Sequence, residues 1–107
     1  METAQREWSL VSTHGAVLLF VAAHPNSTLR EIAESAGVTE RQVARVIKDL
    51  TRAEIVEMAH RGRRNTYAVN KDAYFRRPLL AHIRLERFIS ALLPELVDAK
   101  AVELRSE

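Results

Sequence analysis

The segment TERQVARVIKDL, Thr39 to Leu50, decides how the rest of the chain is read. At about 100° per residue, Val43, Val46, Ile47 and Leu50 gather on one side of a helix. On the other side Arg41, Arg45, Lys48 and, just past the quoted stretch, Arg52 fall within about 60° of arc, flanked by Gln42 and Ala44. The apolar side is a core face. Four like charges in a row repel one another, so the basic side is mildly destabilising unless something negative lies against it. The alternative is a solvated outer face, the ordinary state of a charge stripe on a surface helix.

The flanking residues supply the context. Thr39-Glu40-Arg41-Gln42 has the form of a capping box, in which a hydroxyl and a side-chain carbonyl each satisfy an orphan amide at a helix start. A second box, Thr28-Leu29-Arg30-Glu31, opens the preceding helix, whose buried side is Leu29, Ile32, Ala33 and Ala36. Gly37 fits the left-handed position that ends such a helix, with Val38 packing back on the turn before it. Two short helices joined so tightly read as a helix-turn-helix, with the Thr39–Arg52 helix as the member that enters a major groove. Upstream, Thr13 is expected to cap a helix running from His14 to Ala23 and ended by Pro25-Asn26. Being apolar on almost every side, that helix belongs in the middle of the core.

Downstream, Ile55, Val56 and Met58, the polar run RGRRN, and Thr66-Tyr67-Ala68-Val69 predict a β-hairpin whose tip carries Arg61, Arg63 and Arg64. A basic hairpin tip alone is usually solubility chemistry, but this one follows a basic helix at the spacing of a wing. The planar fork of arginine bridges phosphates, binds guanine in a bidentate way and suits a narrow, electronegative minor groove. A last apolar-periodic segment is expected to begin near Pro78, in the first turn of a helix, and to run through Leu79, Ile83, Phe88, Ile89, Leu92 and Leu93. Pro94 should kink or restart it, with Leu96, Val97, Val102 and Leu104 continuing.

The chain of 107 residues, 47% apolar, suits one modest core. Sixteen Lys and Arg against fourteen Asp and Glu leave a net charge of +2, so an affinity for nucleic acid must come from placement rather than bulk charge. With no cysteine, a disulfide framework, thiolate zinc sites and thiol redox catalysis are excluded, and a reducing compartment is compatible. METAQREWSLVST lacks the pattern of a secretory signal, and AVLLFVAA, Ala16 to Ala23, is too short to span a bilayer. The expectation is a soluble cytoplasmic protein associated with the nucleoid, without a membrane partner. None of His14, His24, His60 and His82 pairs with another at ligand spacing, and the three glycines form no phosphate loop. No enzymatic activity, metal or other cofactor is therefore expected.

From Thr13 to Asn70, the order of an apolar helix, TLREIAESAG, VTERQVARVIKDLTRAEIV and the RGRRNTYAV hairpin resembles the winged helix-turn-helix of small prokaryotic transcriptional regulators of the MarR and ArsR kind. The resemblance implies a mainly α fold with a small β-hairpin, a DNA-binding regulator, and a C-terminal dimerisation helix. It implies three regions: an N-terminal segment 1–12, a winged helix-turn-helix 13–76 and a C-terminal helix 77–107. It places Thr39, Arg41, Gln42 and Arg45 in the base-reading part of the recognition helix and Arg61, Arg63 and Arg64 in the wing, residues 61–65. Three features depart from the pattern: no long helix precedes Thr13, the wing lacks the Asp-x-Arg of MarR proteins, and the ArsR metal-sensing cysteines are missing. The effector class is accordingly not carried over.

Within that scheme, Gln to adenine and Arg to guanine are the favoured base contacts. Arg45 serves bases or phosphate, and Lys48 and Arg52, farther along, meet the backbone. Thr28, with the free amides of its helix start, is expected to hold a phosphate. Leu85, Phe88, Ile89, Leu92, Leu93 and Leu96 form a stripe expected to pair with its mate in a two-fold homodimer, the alternative being that part of it closes the monomer core. Trp8, Tyr74 and Phe75 are candidates to line a pocket for a small-molecule effector, or simply to pack. The competing function is a winged-helix interaction module docking an acidic protein partner. A double basic focus on helix and wing favours double-stranded DNA, because a docking module has no special need of it.

Overall fold

In a computed structural model the described residues are 9–62 and 64–106, with side chains described as far as Val97. Among the described residues, four helices and one hairpin follow in the order α1 (Thr13–Ala23), α2 (Leu29–Ala36), α3 (Glu40–Arg52), β1 (Val56–Arg61), β2 (Arg64–Val69), a 3-10 turn (Pro78–Leu80) and α4 (Leu85–Ser106). Helix α1 is central, packing against α2, α3, α4 and β2. It buries Val17, Leu18, Leu19 and Val21, as expected of a helix apolar nearly all round. Its cap is Ser12 rather than Thr13: the Ser12 hydroxyl accepts from the Gly15 amide at 3.1 Å, and Thr13 is the first helical residue.

Helices α2 and α3 both begin with the full capping box. In α2 the Thr28 hydroxyl accepts from the Glu31 amide (3.1 Å) and the Glu31 carboxylate accepts from the Thr28 amide (3.0 Å). In α3 Thr39 and Gln42 repeat the exchange at 3.1 and 3.0 Å. Between them Gly37 has φ 74° and ψ 32°, and the Gly37 and Val38 amides both donate to the Ala33 carbonyl. An L side chain is strained at that φ, so glycine is what allows the chain to reverse in so few residues. Helix α3 ends in the same way with the wrong residue type: Glu54 has φ 61°, while the Ile55 amide closes onto the Leu50 carbonyl at 2.9 Å.

The hairpin is antiparallel, in register from Val56 opposite Val69 to Arg61 opposite Arg64, which leaves a two-residue turn with Gly62 at φ 62°. Only its root enters the core, through Val56 and Tyr67. The expected helix start at Pro78 is replaced by a 3-10 turn. The Phe75 amide donates to the Ile83 carbonyl (3.1 Å) and Tyr74 bridges Arg84, so residues 83 and 84 pair back onto 74 and 75 and close a loop of tight turns where a helix would have propagated. Helix α4 begins at Leu85, its first amides satisfied by the distant carbonyls of Ala73 (2.7 Å) and Lys71 (3.0 Å). It runs unbroken through Pro94, which removes one intrahelical bond without ending the helix.

Of the stripe expected at a dimer seam, Leu85 (4% exposed) and Ile89 (0%) lie in the chain's own core. Phe88, Leu92, Leu93 and Leu96 pack partly buried against it. The start of α4 is thus a wall of the same core that holds the helix-turn-helix.

The strain at Glu54 predicts a stabilising change. Glu54→Gly relieves the left-handed backbone and removes a carboxylate from the negative end of α3, and should raise stability by about 0.5–1 kcal/mol in urea unfolding. Gly37→Ala should lower it by about 1–2 kcal/mol, although nothing crowds the added methyl.

Candidate nucleic-acid interface

Val43 (0% exposed), Val46 (5%), Ile47 (4%) and Leu50 (6%) of α3 face α1. Burying four aliphatic side chains is worth roughly 2 kcal/mol each, against a few tenths of a kcal/mol for each like-charge pair on the far side. Apolar burial therefore sets the rotation of α3, and Arg41, Arg45, Lys48 and Arg52 are all exposed along about 16 Å of its outer face. Among the described residues, no carboxylate forms an ion pair with any of the four. The neighbouring Asp49, one step round the helix, is instead held by His14 of α1, with His14 Nε2 2.8 Å from Asp49 Oδ2.

The end of α3 expected to read bases is partly occupied by its own cap. The Gln42 Oε1 accepts from both the Thr39 amide (3.0 Å) and the Thr39 hydroxyl (3.2 Å), while both residues stay exposed. Gln42 in this state offers its Nε2 amide as a donor. A bidentate adenine contact requires the carbonyl as well, and so requires the box to open. Thr28, half-buried, is likewise engaged in its own box.

The wing root is stitched to the helices. The Tyr67 amide donates to the Pro25 carbonyl (2.9 Å) and the Thr66 hydroxyl to the Asn26 side-chain oxygen (3.1 Å). Asn65 donates to the Tyr67 hydroxyl at 3.0 Å. Burial pushes the Tyr67 hydroxyl above its ordinary pKa, with the bond from Asn65 acting the other way, so the phenol stays neutral at physiological pH. Arg61 is exposed at the far end of β1, and Arg63 lies outside the described residues. Arg64, expected at the tip, stays exposed but lies against α2: it donates to the Asn26 carbonyl (2.8 Å) and to both carboxylate oxygens of Glu31 (3.1 and 3.3 Å).

Two short helices at a tight turn, an outward basic stripe on the second, and a β-hairpin stitched beside them decide the architecture. The chain has the winged helix-turn-helix fold. Residues 12–57 match the model of a winged helix-turn-helix DNA-binding family, which spans all three of the first helices and the start of the wing. The whole winged-helix chain is similar to the crystal structure of MepR, a transcription regulator of the Staphylococcus aureus multidrug efflux pump MepA. The TM-score is 0.53 at 14% identity, over 99% of this chain and 70% of that one, a likeness of fold. A search of curated protein sequences finds no match.

Of the aromatic residues considered for an effector pocket, Tyr74 lies under the Arg84 guanidinium (5.7 Å) and Phe75 stacks edge-on with Phe88 (5.6 Å). Trp8 lies outside the described residues. Among the described residues, no cluster of three or more His, Asp or Glu is arranged to hold a metal ion, and no helix is long and apolar enough to cross a membrane.

Residues that local reading missed are Asn26 and Glu31 as anchors of the wing and His14 as the partner of Asp49; each contact joins positions at least 33 apart. Thr39→Ala removes the hydroxyl half of the recognition-helix cap and should cost about 1 kcal/mol in chemical denaturation, with the fold retained.

Proposed function

We propose that this protein is a transcriptional regulator of the MarR or ArsR kind that binds operator DNA in the cytoplasm, with α3 in the major groove and the wing on the adjacent minor groove or phosphates. The observation that carries the reading is the row of Arg41, Arg45, Lys48 and Arg52, outward, exposed and without a carboxylate partner among the described residues. In isolation such a row is unfavourable, and a polyanion relieves it with release of counterions. Thr39, Arg41, Gln42 and Arg45, in the first turns, approach base edges. Lys48 and Arg52 meet the backbone, Arg61 and Arg63 serve the wing, and Thr28 at the start of α2 lies against a phosphate.

A two-fold homodimer fits the same picture, because operator half-sites mirror protein symmetry. Its seam is the distal part of α4, where Leu92, Leu93 and Leu96 are only partly buried and Val97 is 44% exposed, rather than the core-facing Leu85 and Ile89.

Fluorescence anisotropy with a mixed-sequence duplex at several salt concentrations tests the first part. Binding should weaken steeply with salt. Arg52→Ala should reduce the log–log slope by roughly one, whereas Arg41→Ala should cost about 1–3 kcal/mol at one base position of a selected operator. Absence of binding at low salt would refute the DNA reading in favour of an acidic protein partner. For assembly, sedimentation at micromolar concentration should give a dimer that Leu93→Glu converts to a monomer; a monomeric unaltered protein would refute the seam.

A further inference from the structure

The two capping boxes differ in one residue, and the difference has a structural counterpart. Both begin with Thr, but the third helical position is Glu31 in α2 and Gln42 in α3. Either residue completes the box equally well, since each needs only an oxygen for the Thr amide. Glu31 does more than cap. Its Oε1 accepts the Thr28 amide and, together with Oε2, receives the forked guanidinium of Arg64 from the first residue of β2. Arg64 also reaches the Asn26 carbonyl, so one side chain joins the wing to the α1–α2 loop and to the first turn of α2. Thr66 and Tyr67 hold the same strand lower down, on Asn26 and Pro25.

From this geometry we infer that Arg64 is a positioning residue, which fixes the wing relative to the helix-turn-helix through Glu31, and is not itself a DNA ligand. The inference rests on the reading of the protein as a DNA-binding regulator. The turn between β1 and β2 lies directly beyond Arg64, so a clamp at that residue sets where Arg61 and the tip lie relative to α3. A wing clamped before binding loses less conformational freedom on contact and matches one spacing between major-groove and flanking contacts better than others. The forked pair is the suitable device, because two parallel N–H···O bonds fix direction as well as distance. Glutamate is required for it; glutamine suffices at Thr39, where a carboxylate would face the phosphates.

The substitution Glu31→Gln separates the two roles of Arg64 by the sign of its effect. It keeps the cap and removes one negative charge, so electrostatics alone favours tighter DNA binding. If Arg64 were a ligand, its release from Glu31 would strengthen binding further. If Arg64 positions the wing, Glu31→Gln weakens binding by about fivefold, the scale of one half-exposed charged pair. Anisotropy titrations with a selected duplex, on the full chain at several salt concentrations, would compare the unaltered protein, Glu31→Gln, Arg64→Ala and the double variant. Circular dichroism melts would establish that each is folded. The expected result is a similar weakening in both single variants, no additional loss in the double variant, and an unchanged salt slope for Glu31→Gln. Equal or tighter binding by folded Glu31→Gln overturns the inference while leaving the regulator reading intact. Failure of the unaltered protein to bind any duplex overturns both.

Discussion

Burial of Val43, Val46, Ile47 and Leu50 against the central helix is the constraint from which the outward basic stripe follows. A helix has one rotational freedom about its axis, and at 3.6 residues per turn the apolar stripe removes it. Arg41, Arg45, Lys48 and Arg52 then have only one direction to point, whatever their mutual repulsion. The energies are unequal enough for the core to decide: several kcal/mol of apolar burial on one side, a few tenths per charge pair on the other. The outward basic face is therefore a by-product of the core face, and a charge on α3 can be exchanged without moving the helix.

The second organising element is the start of α2. One carboxylate, Glu31, ends the unsatisfied backbone of a helix and receives the arginine that roots the wing. Around it the α1–α2 loop offers the Pro25 and Asn26 carbonyls to successive groups of β2. The hairpin enters the core through Val56 and Tyr67, with Val69 packed against it, and these polar contacts add to that anchorage. A two-stranded hairpin is marginal by itself in water, so such attachment is what gives the wing a defined place. On the opposite flank His14 holds Asp49 beside the basic stripe, so a carboxylate that would sit among the cations has a partner elsewhere.

Much of this architecture is local and therefore legible in the chain. The boxes at Thr28 and Thr39, the turn at Gly37, the central helix and the presence of a hairpin all rest on interactions within a few residues or on short apolar periods. Errors fell where a local signal competes with a distant contact. Pro78 carries a helix-start signal, yet the Phe75–Ile83 bond and the Tyr74–Arg84 bridge close the segment into a loop holding only a 3-10 turn, and α4 starts at Leu85 on amides satisfied by Lys71 and Ala73. Ser12 in place of Thr13 is a smaller case, two adjacent hydroxyls of which geometry selects one.

The site divides along the same line. The residues of α3 and their outward face follow from periodicity, because rotation about one helix needs no knowledge of the others. The fate of Arg64 does not, since an arginine in a basic run looks the same whether it meets a phosphate or a carboxylate. The partner, Glu31, is 33 residues away and already accounted for as a cap. In the same way, the apolar period of α4 marks Leu85, Ile89, Leu92, Leu93 and Leu96 alike, and only packing separates those closing the core from those left at its edge. The sequence by itself determined the first three helices, the paired caps of α2 and α3 and the face that α3 turns outward, because these depend on neighbours along the chain. Which charges pair within the protein and which apolar groups of α4 close its core was decided by the tertiary structure, because both depend on what folding brings alongside.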